Sequence, residues 1–211
     1  MRVRNLFLLL GVWLLQPGVA GATMYDTSAA SISCTSFLGT VAPKPVMTMA
    51  EQPTVLTLKG TISGCTVTGA TPAGPPLQVL SAKLKAKLTV VGDASCVSLI
   101  SGFHVVESLV FEWKAAAGQE LDLPSTTFTI DSNGFVPVLQ DIGMTSYGVF
   151  GATGAVEAGS AFGAAAMPWF LIMSAEDIWN MYGQCCTDAM SCSPVGRGIK
   201  KLHISIGQLQ M

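Results

Sequence analysis

The sequence is poor in charged side chains and in histidine. Only 11% of its 211 residues are charged, against about 25% in a typical soluble domain, and only His104 and His203 are histidines. Surface helices depend on Lys and Glu, so the scarcity of these residues, beside abundant Ser, Thr and Gly, favours β-structure. No Asn-x-Ser/Thr sequon occurs, and N-glycosylation is therefore not expected.

Long apolar runs are also scarce, and the one at the N-terminus has the features of a secretory signal. Two arginines precede the apolar run Leu6–Leu15, and Ala20–Ala22 supplies a small-x-small cleavage pattern. A membrane anchor is the alternative, but the run is too short to cross a bilayer as a helix. The sequence predicts a signal peptide at 1–22, a single mature domain at 23–211, and secretion to the extracellular space, cell surface or periplasm.

The charge balance makes nucleic acid an unexpected partner. Removal of the signal peptide would leave nine basic and 13 acidic residues, a net charge of −4. A weakly acidic chain has no field that attracts nucleic acid or an anionic membrane. The C-terminal cluster of Arg197, Lys200 and Lys201 is small and lacks interleaved aromatic residues.

Six cysteines are present, and secretion would place them in an oxidising compartment, so three disulfides are expected. If Ser31–Val41 and Thr54–Gly64 are antiparallel neighbours, Cys34 lies beside Cys65, which makes this the favoured bridge. Cys96 is assigned to Cys185 or Cys186, and the rest of the connectivity stays open. The disulfide candidates are Cys34, Cys65, Cys96, Cys185, Cys186 and Cys192.

Alternation of apolar and polar residues recurs in short segments, and only an extended chain has that period. The pattern predicts an all-β fold, an antiparallel two-sheet sandwich, Ig-like or jelly-roll-like. Turns are expected at Gly64-Cys65, Gly92-Asp93 and Asp131–Gly134, and one short helix near the C-terminus at Ala175–Tyr182, capped by Ser174. The predicted strands are Ser31–Val41, Thr54–Gly64, Lys83–Val91, Val105–Trp113, Ser125–Ile130, one or two within Gly143–Gly163, Met167–Met173 and Gly198–Gly207.

One predicted strand carries a row of lysines. Lys83, Lys85 and Lys87 alternate with apolar residues and therefore share one face. The row could be an anion-binding stripe or the solvated face of a strand, such as an edge strand protected by charge. The sequence favours the solvated face.

Catalytic patterns are weak throughout the sequence. His104 and His203 could act as bases, but neither lies in a recognisable motif. In Gly60–Gly64 the serine comes one place late for a nucleophile elbow, and no helix is predicted to follow. Among the carboxylates, nothing places two across a cleft as glycoside hydrolysis requires; the candidates are Glu120, Asp122, Asp141 and Glu157.

A zinc site can be assembled from three C-terminal cysteines and one histidine, since zinc accepts that ligand set. The spacing matches no known finger, and secretion favours disulfides instead. The ligands of such a site would be Cys185, Cys186, Cys192 and His203. No metal, cofactor or catalytic residue is therefore predicted.

Five segments carry a resemblance, in this order: SCTSFLGTV, LKGTISGC, ASCVSLISG, LVFEW and TSYGVFGATG. Together they resemble a broad group of secreted, uncharacterised β-sandwich proteins of actinobacteria and similar soil bacteria. The resemblance covers most of the mature chain, although the Cys185-Cys186-x5-Cys192 segment departs from it. It implies a bacterial secreted β-domain and supplies no catalytic residue.

The sequence thus predicts a secreted, non-catalytic module that binds an extracellular glycan or protein through loops or an exposed sheet face. The alternative is a secreted hydrolase with an atypical site. A histidine within hydrogen-bond reach of a serine and an acid in a pocket would contradict binding alone. Two isolated histidines would contradict the hydrolase.

Overall fold

The computed structural model describes residues 21–72, 74–96, 98–142, 145–173, 198–205 and 207–211. Within these ranges the chain forms twelve strands and one helical turn, α1 (Ser98–Ser101), and contains no helix long and apolar enough to cross a membrane. The strands are β1 (Thr23–Tyr25), β2 (Ser31–Lys44), β3 (Gln52–Thr68), β4 (Val79–Ala94), β5 (Ser108–Ala115), β6 (Gln119–Leu121), β7 (Ser125–Ile130), β8 (Val136–Ile142), β9 (Thr145–Val156), β10 (Trp169–Met173), β11 (Leu202–Ile204) and β12 (Gln208–Gln210).

Eight of the strands close into an antiparallel β-barrel. The hydrogen-bonded order is β2-β3-β4-β5-β7-β9-β10-β12, and β12 pairs back with β2. Outside this ring, β8 extends the sheet beyond β9, β11 pairs with a second part of β2, and β1 and β6 form a separate parallel pair. The all-β prediction is confirmed, and the predicted two-sheet sandwich is wrong.

Strand β10 closes the barrel. Trp169 pairs with Thr153 of β9 on one side and with Gln210 of β12 on the other. A sandwich and a barrel both bury every second side chain of a strand, so they share the same alternation in the sequence. The difference between them depends on these distant pairings, which local alternation does not encode.

Strands β3 and β4 are much longer than predicted, in part because an expected turn lies inside each of them. Strands β2, β3 and β4 have 14, 17 and 16 residues. The predicted turns at Gly64-Cys65 and Gly92-Asp93 are wrong, since β3 and β4 continue through them. Gly64 and Gly92 have φ angles of 66° and 77°, and the β3–β4 register shifts between Thr89 and Asp93. Such glycines permit a bend or bulge within a continuous strand.

The core is filled with large apolar side chains. The ring of Phe170 contacts those of Phe37 and Phe111, with centroids 5.4 and 5.8 Å apart. On β4 the predicted inward residues Leu84 and Leu88 are buried. One apolar gap in this core measures about 20 Å³. Ligand pockets measure roughly 300–1,000 Å³, so this gap cannot hold an organic ligand.

Some of the predicted strands and turns are confirmed, and others fall on residues that the structure does not describe. Ser125–Ile130 is β7 as predicted, and Asp131–Gly134 forms a turn in which the Gly134 N–H donates to the Asp131 carbonyl at 3.1 Å. Of the predicted last strand, Gly198–Gly207, the described residues form a strand only at Leu202–Ile204 (β11), and β12 follows beyond its predicted end. The predicted helix Ala175–Tyr182 and residues 1–20 of the predicted signal peptide lie outside the described residues.

Candidate binding pocket at the barrel seam

The favoured disulfide is present. Cys34 of β2 lies directly opposite Cys65 of β3, and the two are bonded with their Cα atoms 4.0 Å apart. Cys96 is also disulfide-bonded. Its predicted partners Cys185 and Cys186 lie outside the described residues, as does Cys192.

A pocket of about 530 Å³ lies where the barrel closes between β9 and β10. Its volume falls within the range of roughly 300–1,000 Å³ that is usual for small-molecule sites. Five segments form its walls: α1 with the loop after it, the turn after β7, and strands β8, β9 and β10. The lining residues are Ser101, Gly102, Phe103, His104, Asn133, Val136, Gly151, Ala152, Thr153, Trp169 and Leu171.

Two glycines allow two of these walls to meet. Phe103 and Phe135 exchange main-chain hydrogen bonds of 2.9 Å each, which join the loop after α1 to the segment before β8. Gly102 and Gly134 flank this bridge with φ angles of 97° and 66°. A Cβ added at Gly134 would overlap the carbonyl oxygen of Phe103. The close approach of the two backbones therefore requires glycine at this position.

His104 is held by the turn that follows β7. Its Nδ1 lies 2.5 Å from the carbonyl oxygen of Ser132. Because a carbonyl oxygen only accepts hydrogen bonds, Nδ1 carries the hydrogen, and in the neutral ring Nε2 is an acceptor. His104 is exposed and lines the pocket, so it offers a polar atom in a fixed orientation.

The acid next to this turn does not serve the histidine. Asp131 Oδ1 accepts the main-chain N–H of Asn133 at 2.7 Å, and its Oδ2 accepts the hydroxyl of Thr153. The Asp131 N–H also donates to the carbonyl of Thr153 at 2.9 Å. Asp131 therefore ties the turn to β9 and shapes the pocket wall.

Trp169 of β10 supplies an aromatic surface to the pocket. It is partly exposed, and its Nε1 donates a 2.8 Å hydrogen bond to Gln210 Oε1. This bond orients the indole and uses its only donor. The ring is therefore what Trp169 offers to a ligand.

Of the two histidines that the sequence offers, His104 lines the pocket and His203 lies outside it. His203 is exposed on β11, opposite Thr40 of β2. Around His104, the structure shows a carbonyl partner for Nδ1 and an aspartate bonded to other groups. Within the described ranges, the side-chain hydrogen bonds do not assemble the Ser–His–acid arrangement of a serine hydrolase.

Two of the four candidate carboxylates accept hydrogen bonds that link segments of the fold. Asp122 accepts hydrogen bonds from the N–H and hydroxyl of Thr27, both at 3.0 Å, while Glu120 is exposed on β6. Glu157 accepts from the hydroxyl of Thr129 at 2.8 Å. The Asp141 side chain lies outside the described residues.

The remaining chemical candidates do not converge on the pocket. Ser63 lies in the extended strand β3, opposite Ser36, so it is not on a nucleophile elbow. No group of three potential metal ligands occurs in the part of the chain that the structure describes. Of the alternative zinc ligands only His203 is described, and of the basic cluster only Lys200 and Lys201, both exposed.

The sequence indicated His104 but not its neighbours in the pocket. Asn133 was placed in a turn and Trp169 in a buried strand, and both placements are correct. Their convergence depends on the Phe103–Phe135 bridge and on the β9–β10 pairing, which leave no local signal. No family model matches this sequence, and no curated protein or solved structure is detectably similar to it. The geometry of the pocket therefore carries the functional argument.

Proposed function

We propose that this protein is a secreted, non-catalytic binding module whose pocket at the barrel seam takes a neutral, polar ligand such as a sugar residue of an extracellular glycan. Secretion rests on the signal-peptide pattern of residues 1–22. The combination of an aromatic ring with uncharged polar groups, around a pocket of about 530 Å³, carries the choice of ligand.

The chemistry of the pocket walls matches the two kinds of surface on a sugar. The ring of Trp169 offers an apolar face for C–H groups, and aromatic side chains combine large contact area with defined geometry. His104 Nε2 and the Asn133 amide face the same pocket as polar partners for hydroxyls. A few well-placed polar groups in an otherwise apolar cleft are typical of ligand sites.

The absence of charge in the described lining favours a neutral ligand. None of the eleven described lining residues is Asp, Glu, Lys or Arg. An anionic ligand would lose hydration on entering this pocket without gaining an opposite charge, and the Asp131 carboxylate behind the lining is already bonded to Asn133 and Thr153. A neutral ligand needs only hydrogen bonds.

One feature supports the hydrolase alternative. The Ser132 carbonyl engages His104 Nδ1, so Nε2 is the ring atom left for proton transfer, which is the role of a histidine in general acid–base catalysis. A hydrolase would cleave the bound glycan, whereas a binding module returns it unchanged. Mass spectrometry of the ligand after incubation therefore separates the two hypotheses.

The test is calorimetric titration of the mature chain, residues 23–211, with neutral oligosaccharides first selected on an array. We expect Trp169→Ala to weaken binding by about tenfold or more, because the aromatic contact is lost. Trp169→Phe keeps a ring and should retain most of the affinity. His104→Ala should weaken binding severalfold.

His203→Ala is the matched control, since it removes the same side chain from the outer wall of the barrel. It should bind like the wild type. The proposal is wrong if no neutral saccharide binds, or if Trp169→Ala binds as tightly as the wild type. Cleavage that disappears in His104→Ala would establish the hydrolase instead.

A further inference from the structure

Four lysines lie together on the outer wall of the barrel. This lysine face consists of Lys59 on β3 and Lys83, Lys85 and Lys87 on β4, all exposed. Around the barrel, two strands separate β3–β4 from β9–β10 in each direction. The four lysines do not line the pocket, although the segment that carries His104 is hydrogen-bonded to the end of β4 at Val91.

Protection of a sheet edge does not explain the lysines. Edge strands often carry lysine, because charge prevents pairing with another chain. Strand β4, however, pairs with β3 on one side and with β5 on the other. The lysines do lie on a solvated face, as predicted, and only the narrower interpretation of β4 as an edge strand is wrong.

Two of the lysines are expected to lower the stability of the folded barrel, because they lie opposite each other. Lys59 lies directly opposite Lys85 in the β3–β4 register. Like charges in this position repel each other and destabilise a sheet. On their other sides, Lys59 faces Thr40 and Lys85 faces Val110, so neither has an acid as a direct cross-strand neighbour.

Acidic side chains lie at both ends of the lysine row on β4. At one end, Glu107 accepts a 2.9 Å hydrogen bond from the hydroxyl of Thr89, two residues after Lys87. Lys83 lies opposite Glu112 of β5, whereas Lys87 lies opposite Thr57 of β3. Alternate residues on one strand are roughly 7 Å apart, and neighbouring strands are about 4.8 Å apart. The face is thus a grid of ammonium groups with close spacing on a chain whose overall charge is −2.

We propose that the lysine face binds an extended acidic polysaccharide, a polymer that carries carboxylate or sulfate groups. The anionic groups of such a polymer would relieve the repulsion between Lys59 and Lys85. Lysine ammonium groups are mobile point charges, which suit repeated anions without one fixed geometry. The face lies on a sheet wall and not in a pocket, so it fits a chain that passes over it.

The shape of the face argues for a flexible polymer and against a bilayer. One cross-strand row passes through Thr40, Lys59, Lys85, Val110 and Thr127, and so follows the circumference of the barrel over five strands. A flat membrane touches a convex wall along a narrow zone, whereas a polymer can follow the curve. This row contains no aromatic residue on which nucleic-acid bases could stack.

The test is retention of the mature chain on immobilised heparin and on immobilised polygalacturonate, followed by affinity measurements at several salt concentrations. We expect wild-type binding to fall steeply with salt. Lys59→Gln/Lys85→Gln should weaken binding by about tenfold at low salt and reduce the slope of log affinity against log salt by about 1.5. Lys85→Arg keeps the charge and should bind like the wild type.

The control is Lys200→Gln/Lys201→Gln, which removes two exposed lysines before β11, away from β3 and β4, and should leave binding nearly unchanged. Trp169→Ala should also leave it unchanged, which separates this result from the test of the pocket. The proposal is overturned if neither polysaccharide retains the wild type, if both double variants bind equally, or if duplex DNA or phosphatidylserine vesicles bind more tightly than both polysaccharides.

Discussion

The indole Nε1 of Trp113 donates a 2.8 Å hydrogen bond to the Oγ1 of Thr126, and both residues are buried. The Thr126 hydroxyl in turn donates to the carbonyl oxygen of Ala161 at 2.7 Å. Strands β5 and β7 are thereby linked to the loop after β9. The same arrangement places the Trp113 ring against Phe162, with centroids 5.0 Å apart. A single hydroxyl therefore satisfies two buried polar groups.

Replacement of that hydroxyl should be costly. Thr126→Val keeps the shape of the side chain but leaves the Trp113 N–H and the Ala161 carbonyl without this partner. Each unsatisfied buried group costs about 1–3 kcal/mol, so we expect a loss of about 2–4 kcal/mol of unfolding free energy. Urea unfolding followed by tryptophan fluorescence measures it. Thr126→Ser keeps the hydroxyl and should lose less. Equal stability of Thr126→Val and the wild type would contradict the role of the hydroxyl.

Gly134 is a position at which one added methyl group should destabilise the fold. Its φ of 66° disfavours any side chain, and an added Cβ would also overlap the Phe103 carbonyl. Gly118 has a similar φ of 79° but open space around its Cβ position. Gly118→Ala should therefore show only the backbone cost of about 1–2 kcal/mol.

Gly134→Ala should cost clearly more than Gly118→Ala, because the Phe103–Phe135 bridge must shift. Thermal unfolding of the two variants in parallel measures the difference. Gly134→Ala should also weaken ligand binding in the pocket, whereas Gly118→Ala should not. If the two variants lose the same stability, the close approach at Phe103 does not constrain the fold.

Alternation in the sequence predicts strand faces well, because burial of every second side chain is a local property. It identifies β7 with its bounds and the buried face of β4. It also pairs β2 with β3 correctly, since adjacent strands brought Cys34 beside Cys65. It does not separate a turn from a bend inside a long strand. Gly64 and Gly92 satisfy the local requirements of both.

Long-range pairing is what the sequence leaves open. Strand β8 contains Pro137 and was not predicted, yet it pairs only with β9 and so lies at an edge where proline is tolerated. Trp169 of β10 pairs with Thr153 of β9 and with Gln210 of β12, and these pairings close the barrel. Local alternation carries no information about which strands pair in this way. The pocket depends on that closure. The sequence alone therefore indicates His104 as a candidate functional residue but does not indicate the other residues that line the pocket.

The Phe37 ring packs against three positions where the residue is glycine and has no Cβ atom. A Cβ added at Gly39, Gly60 or Gly207 would overlap atoms of the Phe37 side chain. Gly60→Ala should therefore destabilise the protein through its contact with the ring, and Phe37→Leu should destabilise it by reducing core contacts. In the double variant the smaller leucine relieves the contact with the ring, whereas the Leu38 carbonyl oxygen, 2.7 Å from the added Cβ, stays close.

The two substitutions should therefore be less costly together than the sum of their separate effects, with a coupling energy of about 1 kcal/mol or more. Chemical denaturation of the wild type, both single variants and the double variant measures this coupling. The pair Gly92→Ala and Phe37→Leu is the control, because a Cβ at Gly92 meets nothing within 4 Å. Additive effects at Gly60 and Phe37 would show that the ring does not constrain Gly60.

The Cys34–Cys65 disulfide should stabilise the protein mainly through the unfolded chain. The bond joins residues 31 positions apart, and the chain-entropy relation for a loop of that length gives about 4 kcal/mol. We expect Cys34→Ala/Cys65→Ala to lose about 3–4 kcal/mol in urea unfolding under non-oxidising, non-reducing conditions that keep the Cys96 disulfide intact. The urea m-value should rise as well, because the unfolded chain without the bridge exposes more surface. A loss of packing in the native barrel would lower stability without raising the m-value, so an unchanged m-value would contradict this mechanism.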